Sequence, residues 1–420
     1  MAGLIVGMDL CDDYSQISVF NGKLLDAEAV GTTGEENSCM IPSVVCKQKG
    51  GEKWFIGEEA YRFALQGEGT MVDKPVKLLS KQGTATIEGV KYTAEDLVRI
   101  FVEQMLALAK KRYEETEVAS LVITFQKKDA VVMDSLVRIM DRIGIEREKV
   151  HMINHAEAFL FYVLSQKKEI WANQTCLFDL TADGLHYYEL NVMRGRRPQV
   201  AEVAHESLEE GFSLEILDSV SGGKLADKIL CSCAERQLNK KLVTTAFLTG
   251  KGFETTEWAS GFLKIICNKR RVFSGQSLFA RGASFLAYDY LQEISAYPYV
   301  CLCEGRVPAA VSMQVKHEGR ERQLIVVSAG SNWYEAKTSV DFILDDTHSV
   351  DFTVTPVRGP GQKRYSLSLD EFPARPNKTT RVQVIFSFSG DKEMTVRVID
   401  KGFGDFFPES GRMIRQDYSI

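Results

Sequence analysis

The sequence lacks several features that each define a class of protein. It contains no run of 18 apolar residues, which excludes a transmembrane helix, and no basic segment precedes an apolar one at the N-terminus, so no signal peptide is predicted. Its formal net charge of −6 indicates no broad basic surface for nucleic acid or an anionic membrane. We therefore expect neither nucleic acid nor membrane as a partner.

Cysteine is present, but without the spacing of a disulfide or zinc framework. The chain has nine cysteines, an odd number. The pairs Cys231/Cys233 and Cys301/Cys303 are spaced more closely than the paired knuckles of four-ligand zinc sites. We interpret them as buried free thiols, which are typical of a reducing compartment. The sequence thus predicts a cytoplasmic protein.

The chain opens with an apolar segment that turns back on itself. Two apolar stretches flank the polar turn Cys11–Tyr14, and Asp9 ends the first of them, a pattern typical of a β-hairpin. A second hairpin pattern covers residues 175–192, with Asp179 at the corresponding position, 170 residues after Asp9. The repetition predicts two similar lobes that face each other.

Helical and strand patterns alternate along both halves of this region. Thr93 followed by Asp96 predicts the capped start of a long helix, and a buried strand at residues 121–125 precedes an amphipathic helix at 129–143. Residues 207–242 are predicted to be mainly helical, with an interruption at residues 221–223. This alternation predicts a sheet flanked by helices in each lobe. From about residue 298 onward, short alternating segments predict β structure throughout.

Several of these segments resemble, in the same order, those of the DnaK-type chaperones in the actin-like ATPase superfamily. Gly7–Leu10 resembles the first half of the family's phosphate loop, Phe178–Leu180 resembles its second loop, and Met152–Ala158 resembles its connecting helix. The most specific match is Tyr365–Pro376, which resembles the substrate-domain string Phe-x-Leu-x-Gly-Ile-Pro-Pro-Ala-Pro. The chain is identified as a divergent bacterial member of this superfamily.

The resemblance implies an α/β two-lobe actin-like (ribonuclease-H-like) ATPase fold, followed by an all-β sandwich like the DnaK substrate-binding β domain. The expected boundaries are 1–173 for lobe I, 174–296 for lobe II, 298–410 for the sandwich and 411–420 for a C-terminal tail without the family's helical lid. Only 71 positions separate Asp179 from Gly250. The upper subdomain of lobe II, which covers one side of the adenosine in the family, is therefore predicted to be reduced or missing.

The resemblance also implies candidate site residues. If nucleotide binding is retained, the candidates are Asp9, Asp12, Asp13, Asp179, Asp183, Gly250 and Gly252. Asp9 and Asp179 are the candidate metal ligands, through water, and either Lys74 or Lys77 corresponds to the lysine that contacts phosphate. No catalytic residue is assigned.

Both phosphate loops depart from the family pattern. Cys11, Asp12 and Asp13 replace a glycine and hydroxyl residues, Asp183 stands in the second loop, and His155 replaces the glutamate of the connecting helix. A carboxylate about 4 Å from a phosphate costs on the order of 4 kcal/mol at an intermediate dielectric, whereas one hydrogen bond returns about 1 kcal/mol. We therefore expect no ATP hydrolysis and no cofactor, with Mg-ATP as the alternative.

The same residues permit other interpretations. The acidic residues of the loops are first interpreted as turn formers and second as oxygen ligands for Mg²⁺ or Ca²⁺. His151 and His155 are expected to have ordinary polar roles rather than to bind metal. Arg270 and Arg271 are expected to interact with a helix end rather than with a phosphate.

We expect a chaperone-related, non-hydrolysing protein that binds a peptide or protein or acts as an adaptor. The alternatives are an active ATP-dependent DnaK-type chaperone with unusual loops and an actin-like structural polymer. The peptide groove is not assigned by the sequence. Ile325, Ile343, Phe352 and Val354 lie in alternating segments, and core packing is the expectation for them.

Overall fold

The structure is a computed structural model. It describes residues 3–32, 39–195, 198–208, 210, 212–359 and 361–420; Ala2, Glu209 and Gly211, which fall in predicted segments, lie outside this set. The chain divides into two compact units, Met1–Pro298 and Tyr299–Ile420. Within the described ranges, no helix is both long enough and apolar enough to cross a bilayer.

The first unit is a mixed α/β structure with eight helices among its described residues. The helices are α1 (Gly57–Leu65), α2 (Pro75–Ser80), α3 (Ala94–Tyr113), α4 (Ala130–Arg142), α5 (His155–Ser165), α6 (Val220–Leu238), α7 (Ser260–Ile266) and α8 (Leu278–Asp289). The strands are β1 (Leu4–Asp9), β2 (Tyr14–Asn21), β3 (Asp26–Val30), β4 (Ile41–Pro42), β5 (Val44–Gln48), β6 (Trp54–Ile56), β7 (Gly69–Asp73), β8 (Thr84–Ile87), β9 (Val90–Thr93), β10 (Val118–Phe125), β11 (Val150–Asn154), β12 (Gln174–Thr181), β13 (Gly184–Met193), β14 (Gln199–Leu208), β15 (Val243–Thr249) and β16 (Arg271–Ser274).

Two sheets of this unit share one topology. In the first sheet β1 pairs antiparallel with β2 and parallel with β10, in the order β3-β2-β1-β10-β11. In the second, β12 pairs antiparallel with β13 and parallel with β15, in the order β14-β13-β12-β15-β16. We call the two halves lobe I (β1 to α5) and lobe II (β12 to β16).

The repeat extends to the register of the strands. Asp9 pairs with Thr124 in the parallel ladder of lobe I, and Asp179 pairs with Thr249 in that of lobe II. Both ladders also shift register after their first residue pair. Asp9 and Asp179 are therefore structurally equivalent, at matching positions of matching strands.

The lobes differ in what joins their strands. Lobe I inserts two small sheets, β6-β5-β7 and β8-β9, together with α1 and α2. In lobe II, α6 is followed by β15 after the four exposed residues 239–242. A buried cluster that includes Phe178, Leu230 and Phe262 holds α6 and α7 against the lobe II sheet, so this lobe has its own core.

Small residues bring three backbones together between the lobes. A Cβ atom at Gly7 of β1 would overlap the carbonyl oxygen of Ala280 in α8, and one at Gly282 would overlap the carbonyl oxygen of Ala158 in α5. Ser284 then donates a hydrogen bond from its hydroxyl to the carbonyl oxygen of Ser18, 3.0 Å away. Helix α8 can pack this closely only because these positions carry little or no side chain.

The second unit is a β structure of nine strands among the described residues. They are β17 (Tyr299–Leu302), β18 (Ala309–His317), β19 (Arg320–Val327), β20 (Thr338–Ile343), β21 (Ser349–Pro356), β22 (Lys363–Ser368), β23 (Arg381–Phe388), β24 (Glu393–Asp400) and β25 (Met413–Ser419). Eight of these form two four-stranded antiparallel sheets, in the orders β19-β18-β21-β22 and β20-β23-β24-β25. Their apolar core includes Phe352 and Phe386, whose rings meet edge to face.

A buried ion pair ties the Pro-Ala-Arg-Pro segment to the end of β24. The two terminal nitrogens of the Arg375 guanidinium, Nη1 and Nη2, donate to the carboxylate of Asp400 at 2.7 and 2.8 Å, and both side chains are almost fully buried. Burial alone would raise the pKa of Asp400, but hydrogen bonds from Arg375, Ser410 and the Gly402 amide hold this pKa well below its usual range. The ion pair thereby fixes the Pro-Ala-Arg-Pro segment to strand β24 of the sandwich.

Three secondary-structure predictions are wrong in part. Residues 207 and 208, expected to be helical, end strand β14, and Leu208 pairs with Leu185 of β13. Residues 221–223, expected to interrupt the helix, lie within α6. Residues 411–420, expected as a tail, contain β25, which pairs with β24 along its whole length. The capped start of α3 is confirmed, because Thr93 and Asp96 form a complete capping box.

We expect Gly282→Ala to destabilise the protein, although alanine is normally the better helix residue by about 1 kcal/mol. The added methyl would overlap the backbone of α5, at a cost of about 2 kcal/mol. Gly275→Ala is the control, since a Cβ there meets no atom within 4 Å. Urea unfolding measures both changes; equal midpoints for the two variants would contradict the close packing described.

Arg375→Met should lower the free energy of unfolding by about 3–5 kcal/mol at pH 7, because it leaves Asp400 buried and unpaired. The pKa of Asp400 lies below its unfolded value, so the pair stabilises the fold above about pH 4 and loses this effect as the pH falls further. The gap between variant and wild type should therefore shrink at pH 3 in urea unfolding. Arg415→Met, at an exposed pair with Asp417, should change stability by less than about 1 kcal/mol.

Candidate functional site

A cavity of about 270 Å³ lies where the two hairpin turns of the first unit approach each other. Its lining includes Asp9, Cys11, Asp12, Asp13, His155, Asp179, Thr181, Asp183, Gly250, Lys251 and Phe279. The volume falls slightly below the usual range of small-molecule pockets, about 300–1,000 Å³. Six of the seven residues named as nucleotide candidates line this one cavity; Gly252 does not.

The backbone of the first turn is hydrogen-bonded to two serine hydroxyl groups, those of Ser15 and Ser43. The Cys11 amide donates to Ser15 Oγ at 3.2 Å, and the Cys11 carbonyl accepts from Ser43 Oγ at 2.6 Å. The Ser43 amide in turn donates to the carbonyl of Asp13. The Cys11 amide, which a phosphate-binding loop would direct at an anion, is therefore already used within the turn.

Carboxylates occupy the rim of the cavity. Lys74 Nζ lies 2.6 Å from Asp13 Oδ1, so this lysine neutralises the turn itself. Burial and the nearby charge of Asp183 raise the pKa of Asp12, while Lys77 opposes that shift. The two loops thus present like charges to each other across the opening. Lys251 lies at the same rim and pairs with Glu254.

Helix α5 begins at the base of the cavity, and its start is fixed by a capping box. Asn154 accepts from the Glu157 amide, and Glu157 accepts from the Asn154 amide. A buried ion pair of 2.6 Å joins Glu157 to Lys128. His155, the first residue of the helix, stacks on Phe279 with ring centroids 3.9 Å apart. These contacts hold the imidazole in one orientation.

Two further potential ligand atoms, Asp9 Oδ1 and Cys11 Sγ, lie close to Nε2 of this ring. His155 Nε2 lies 2.8 Å from Asp9 Oδ1 and 3.7 Å from Cys11 Sγ, and Cys11 Sγ lies 3.5 Å from Asp9 Oδ1. The three atoms form a compact group that could hold a metal ion. Nδ1 of His155 is buried without a hydrogen-bond partner in the described part of the chain.

Asp179 faces the same cavity from lobe II. It is only 2% exposed, and burial raises the pKa of its carboxyl to about 7, with His155 opposing this shift. Gly250 has φ of +93°, and a Cβ there would strike Asp179 Oδ1 and the carbonyl of Leu180. The backbone after β15 passes this close to Asp179 because residue 250 is glycine. Gly252 packs against the Leu180 side chain.

The group does not have the geometry of an activated nucleophile. In a nucleophile–base–acid arrangement, the nucleophile and the acid bind opposite nitrogens of the imidazole. Here Asp9 and Cys11 both approach Nε2. Burial, together with Asp9 and Asp179, also raises the pKa of the Cys11 thiol well above its ordinary value, and a thiol nucleophile requires the opposite shift.

A second polar cluster lies beside the first. His186, which pairs with Asp179 in the β12–β13 ladder, contacts Gln126 of lobe I and lies 3.3 Å from His205 Nε2. Burial and the neighbouring His205 lower the pKa of His186 to about 4. This ring is therefore neutral at pH 7 and links the lobes by hydrogen bonding.

The remaining candidates lie away from this cavity. His151 stacks on Tyr290. Arg270 donates to the carbonyls of Ile265 and Asn268 at the end of α7, which confirms its expected contact with a helix end. The same expectation is wrong for Arg271, which is exposed on strand β16. The nine cysteines are all free.

The sequence did not predict that Cys11 and His155 meet. Both residues depart from the DnaK-type motifs that the sequence resembles, Cys11 in the first turn and His155 at the start of α5. The resemblance carries a signal, because it implies that the strand end and the helix start contact one ligand and so lie side by side. Unusual residues at two such positions therefore predict that their side chains, here Cys11 and His155, lie in contact.

Comparison with known families places most of the chain. Residues 26–304 match the family described as "Family of unknown function (DUF5716) C-terminal", and the chain belongs to this family. Residues 306–420 match "Domain of unknown function (DUF8552)". A comparison with curated proteins gave no match.

We expect Cys11 to react slowly with iodoacetamide at pH 7.5, because its raised pKa leaves little thiolate. Exposed Cys267 is the internal control, and peptide mass spectrometry in the presence of EDTA follows both. Cys11 should be alkylated at least about tenfold more slowly. Equal rates would show that the thiol is activated.

Proposed function

We propose that the first unit has an actin-like, DnaK-related two-lobe fold that does not hydrolyse ATP, and that the chain acts as a peptide- or protein-binding adaptor. The repeated strand order of the two lobes and the equivalence of Asp9 and Asp179 support this fold. The short connection at residues 239–242 supports the reduced second lobe. The eight-stranded sandwich supports the relation to the DnaK substrate domain.

The observation that carries the proposal is the charge at the cavity rim. Asp12 and Asp183 face each other from the two loops, and the Cys11 amide is already hydrogen-bonded to Ser15. A triphosphate placed here would meet carboxylates where it requires amide and hydroxyl donors. Each such contact costs on the order of 4 kcal/mol at an intermediate dielectric, which a hydrogen bond of about 1 kcal/mol does not offset.

The surface proposed for peptide binding lies on the edges of the sandwich. The expected core packing is confirmed for Phe352 and Val354, which are buried, and is wrong for Ile325 and Ile343, which are 60% and 52% exposed. Each isoleucine lies on the edge strand of its sheet, β19 or β20. An edge strand offers unpaired backbone groups to an extended peptide, and an apolar side chain adds contact area.

The free thiols and the net charge of −6 support the remaining parts of the proposal. Free thiols are typical of the cytoplasm, and an acidic chain has little attraction for nucleic acid or anionic lipid. We therefore propose a cytoplasmic protein whose partner is an extended apolar peptide or an unfolded protein segment.

The test is fluorescence anisotropy of the full chain with a labelled, extended apolar heptapeptide, with and without Mg-ATP. We expect binding that Mg-ATP does not change, and at least about tenfold weaker binding for the double variant Ile325→Asp/Ile343→Asp. Leu24→Asp, a change at a leucine that is 66% exposed in the first unit, should bind as the wild type does.

Two outcomes would contradict the proposal. Micromolar binding of Mg-ATP in isothermal titration would contradict the argument that the carboxylates of the cavity exclude a triphosphate, on which the absence of hydrolysis depends. Peptide binding that survives the double substitution unchanged would remove the edge strands as the contact surface.

A further inference from the structure

We propose that Asp9, Cys11 and His155 form a three-ligand site for a divalent transition metal of the Zn²⁺ type, in the cavity that the buried carboxyl of Asp179 also lines. The three ligand atoms of the first group lie within 4.8 Å of one another. They belong to three separate elements, the end of β1, the following turn and the start of α5, and Asp179 comes from lobe II. Asp179 is not one of the three ligands, but its carboxyl lines the same cavity.

The distances suit tetrahedral coordination. Zn–S bonds of about 2.3 Å and Zn–N or Zn–O bonds of about 2.0–2.2 Å, at tetrahedral angles, place a sulfur about 3.5 Å from each nitrogen or oxygen ligand. Cys11 Sγ lies 3.5 Å from Asp9 Oδ1 and 3.7 Å from His155 Nε2. Asp9 and His155 are 2.8 Å apart, so they need to separate by only roughly 0.5 Å.

Asp179 provides the second, independent observation. Its carboxyl is 2% exposed and lines the same cavity. No hydrogen-bond donor and no lysine or arginine lies in bonding distance of it in the described part of the chain. A buried carboxyl group without a partner is costly, and the neighbouring His155 is already bonded to Asp9. A cation bound by Asp9, Cys11 and His155 would place a positive charge in the cavity that Asp179 lines, which favours both carboxylates.

The donor set selects the metal. Thiolate and imidazole ligands favour Zn²⁺ and its neighbours in the first transition series, whereas Mg²⁺ and Ca²⁺ prefer oxygen ligands alone. Replacing glycine by Cys11 and glutamate by His155 therefore converts the expected oxygen site into a mixed site of sulfur, nitrogen and oxygen. This also argues against Mg-ATP, because a site of this kind has no preference for Mg²⁺.

The test is titration of the untagged full chain with Co²⁺, which reports a thiolate ligand by a charge-transfer band in the near ultraviolet. The wild type should bind one Co²⁺ per chain, and Zn²⁺ should displace it while Mg²⁺ does not. Cys11→Ser should abolish the band, and His155→Ala should weaken binding at least about tenfold. Cys267→Ser, at an exposed thiol, should leave both unchanged.

Asp179→Asn keeps the size of the side chain and removes its charge, so this variant is expected to fold and controls for loss of binding through misfolding. It should keep the band, because Cys11 remains, and weaken binding. A wild type without the band, or a band that persists in a folded Cys11→Ser variant, would overturn the proposal. Displacement by Mg²⁺ at equal concentration would do the same. The proposal does not rest on peptide binding, which is tested on the second unit, so either can fail without the other.

Discussion

The close packing of α8 against β1 and α5 is the constraint on which the first unit depends. Gly7 and Gly282 allow backbone to meet backbone, so the helix joins the lobe I sheet to the helix that leads into lobe II. Because α5 is held at this distance, its first residue, His155, has to lie beside the end of β1. The position of the imidazole is thus set by glycines far from it in sequence.

The repeat of the two lobes imposes a second constraint, on charge. Equivalent strands carry equivalent aspartates at or near their carboxyl ends, and both carboxyls are buried in one cavity. In this chain the surrounding loops add Asp12, Asp13 and Asp183 rather than donors. Such a cavity attracts cations and disfavours anions. The charge of the cavity therefore follows from the topology together with the acidic residues in the turns.

Much of the first unit could be predicted from residue patterns, because its strands are apolar and its α3 cap uses Thr93 and Asp96. The errors have physical causes. Strand β14 extends to Leu208 because its pairing with β13 continues past the apolar stretch. Strand β25 has no apolar pattern to predict it, because Tyr418 is its one buried residue, and it forms through backbone pairing with β24. The contact of Cys11 with His155 joins residues 144 positions apart, which local patterns do not encode.

The four-residue connection between α6 and β15 also has a use in engineering. Residues 239–242 are exposed, and they join two elements that are both anchored to the lobe II core. Loop closure adds only about 0.6 kcal/mol for each doubling of length, so a folded reporter such as a fluorescent protein can be spliced in here with its termini close together. The fluorescence of the inserted protein would then report the location of the chain in living cells, and neither end of the chain would need a tag.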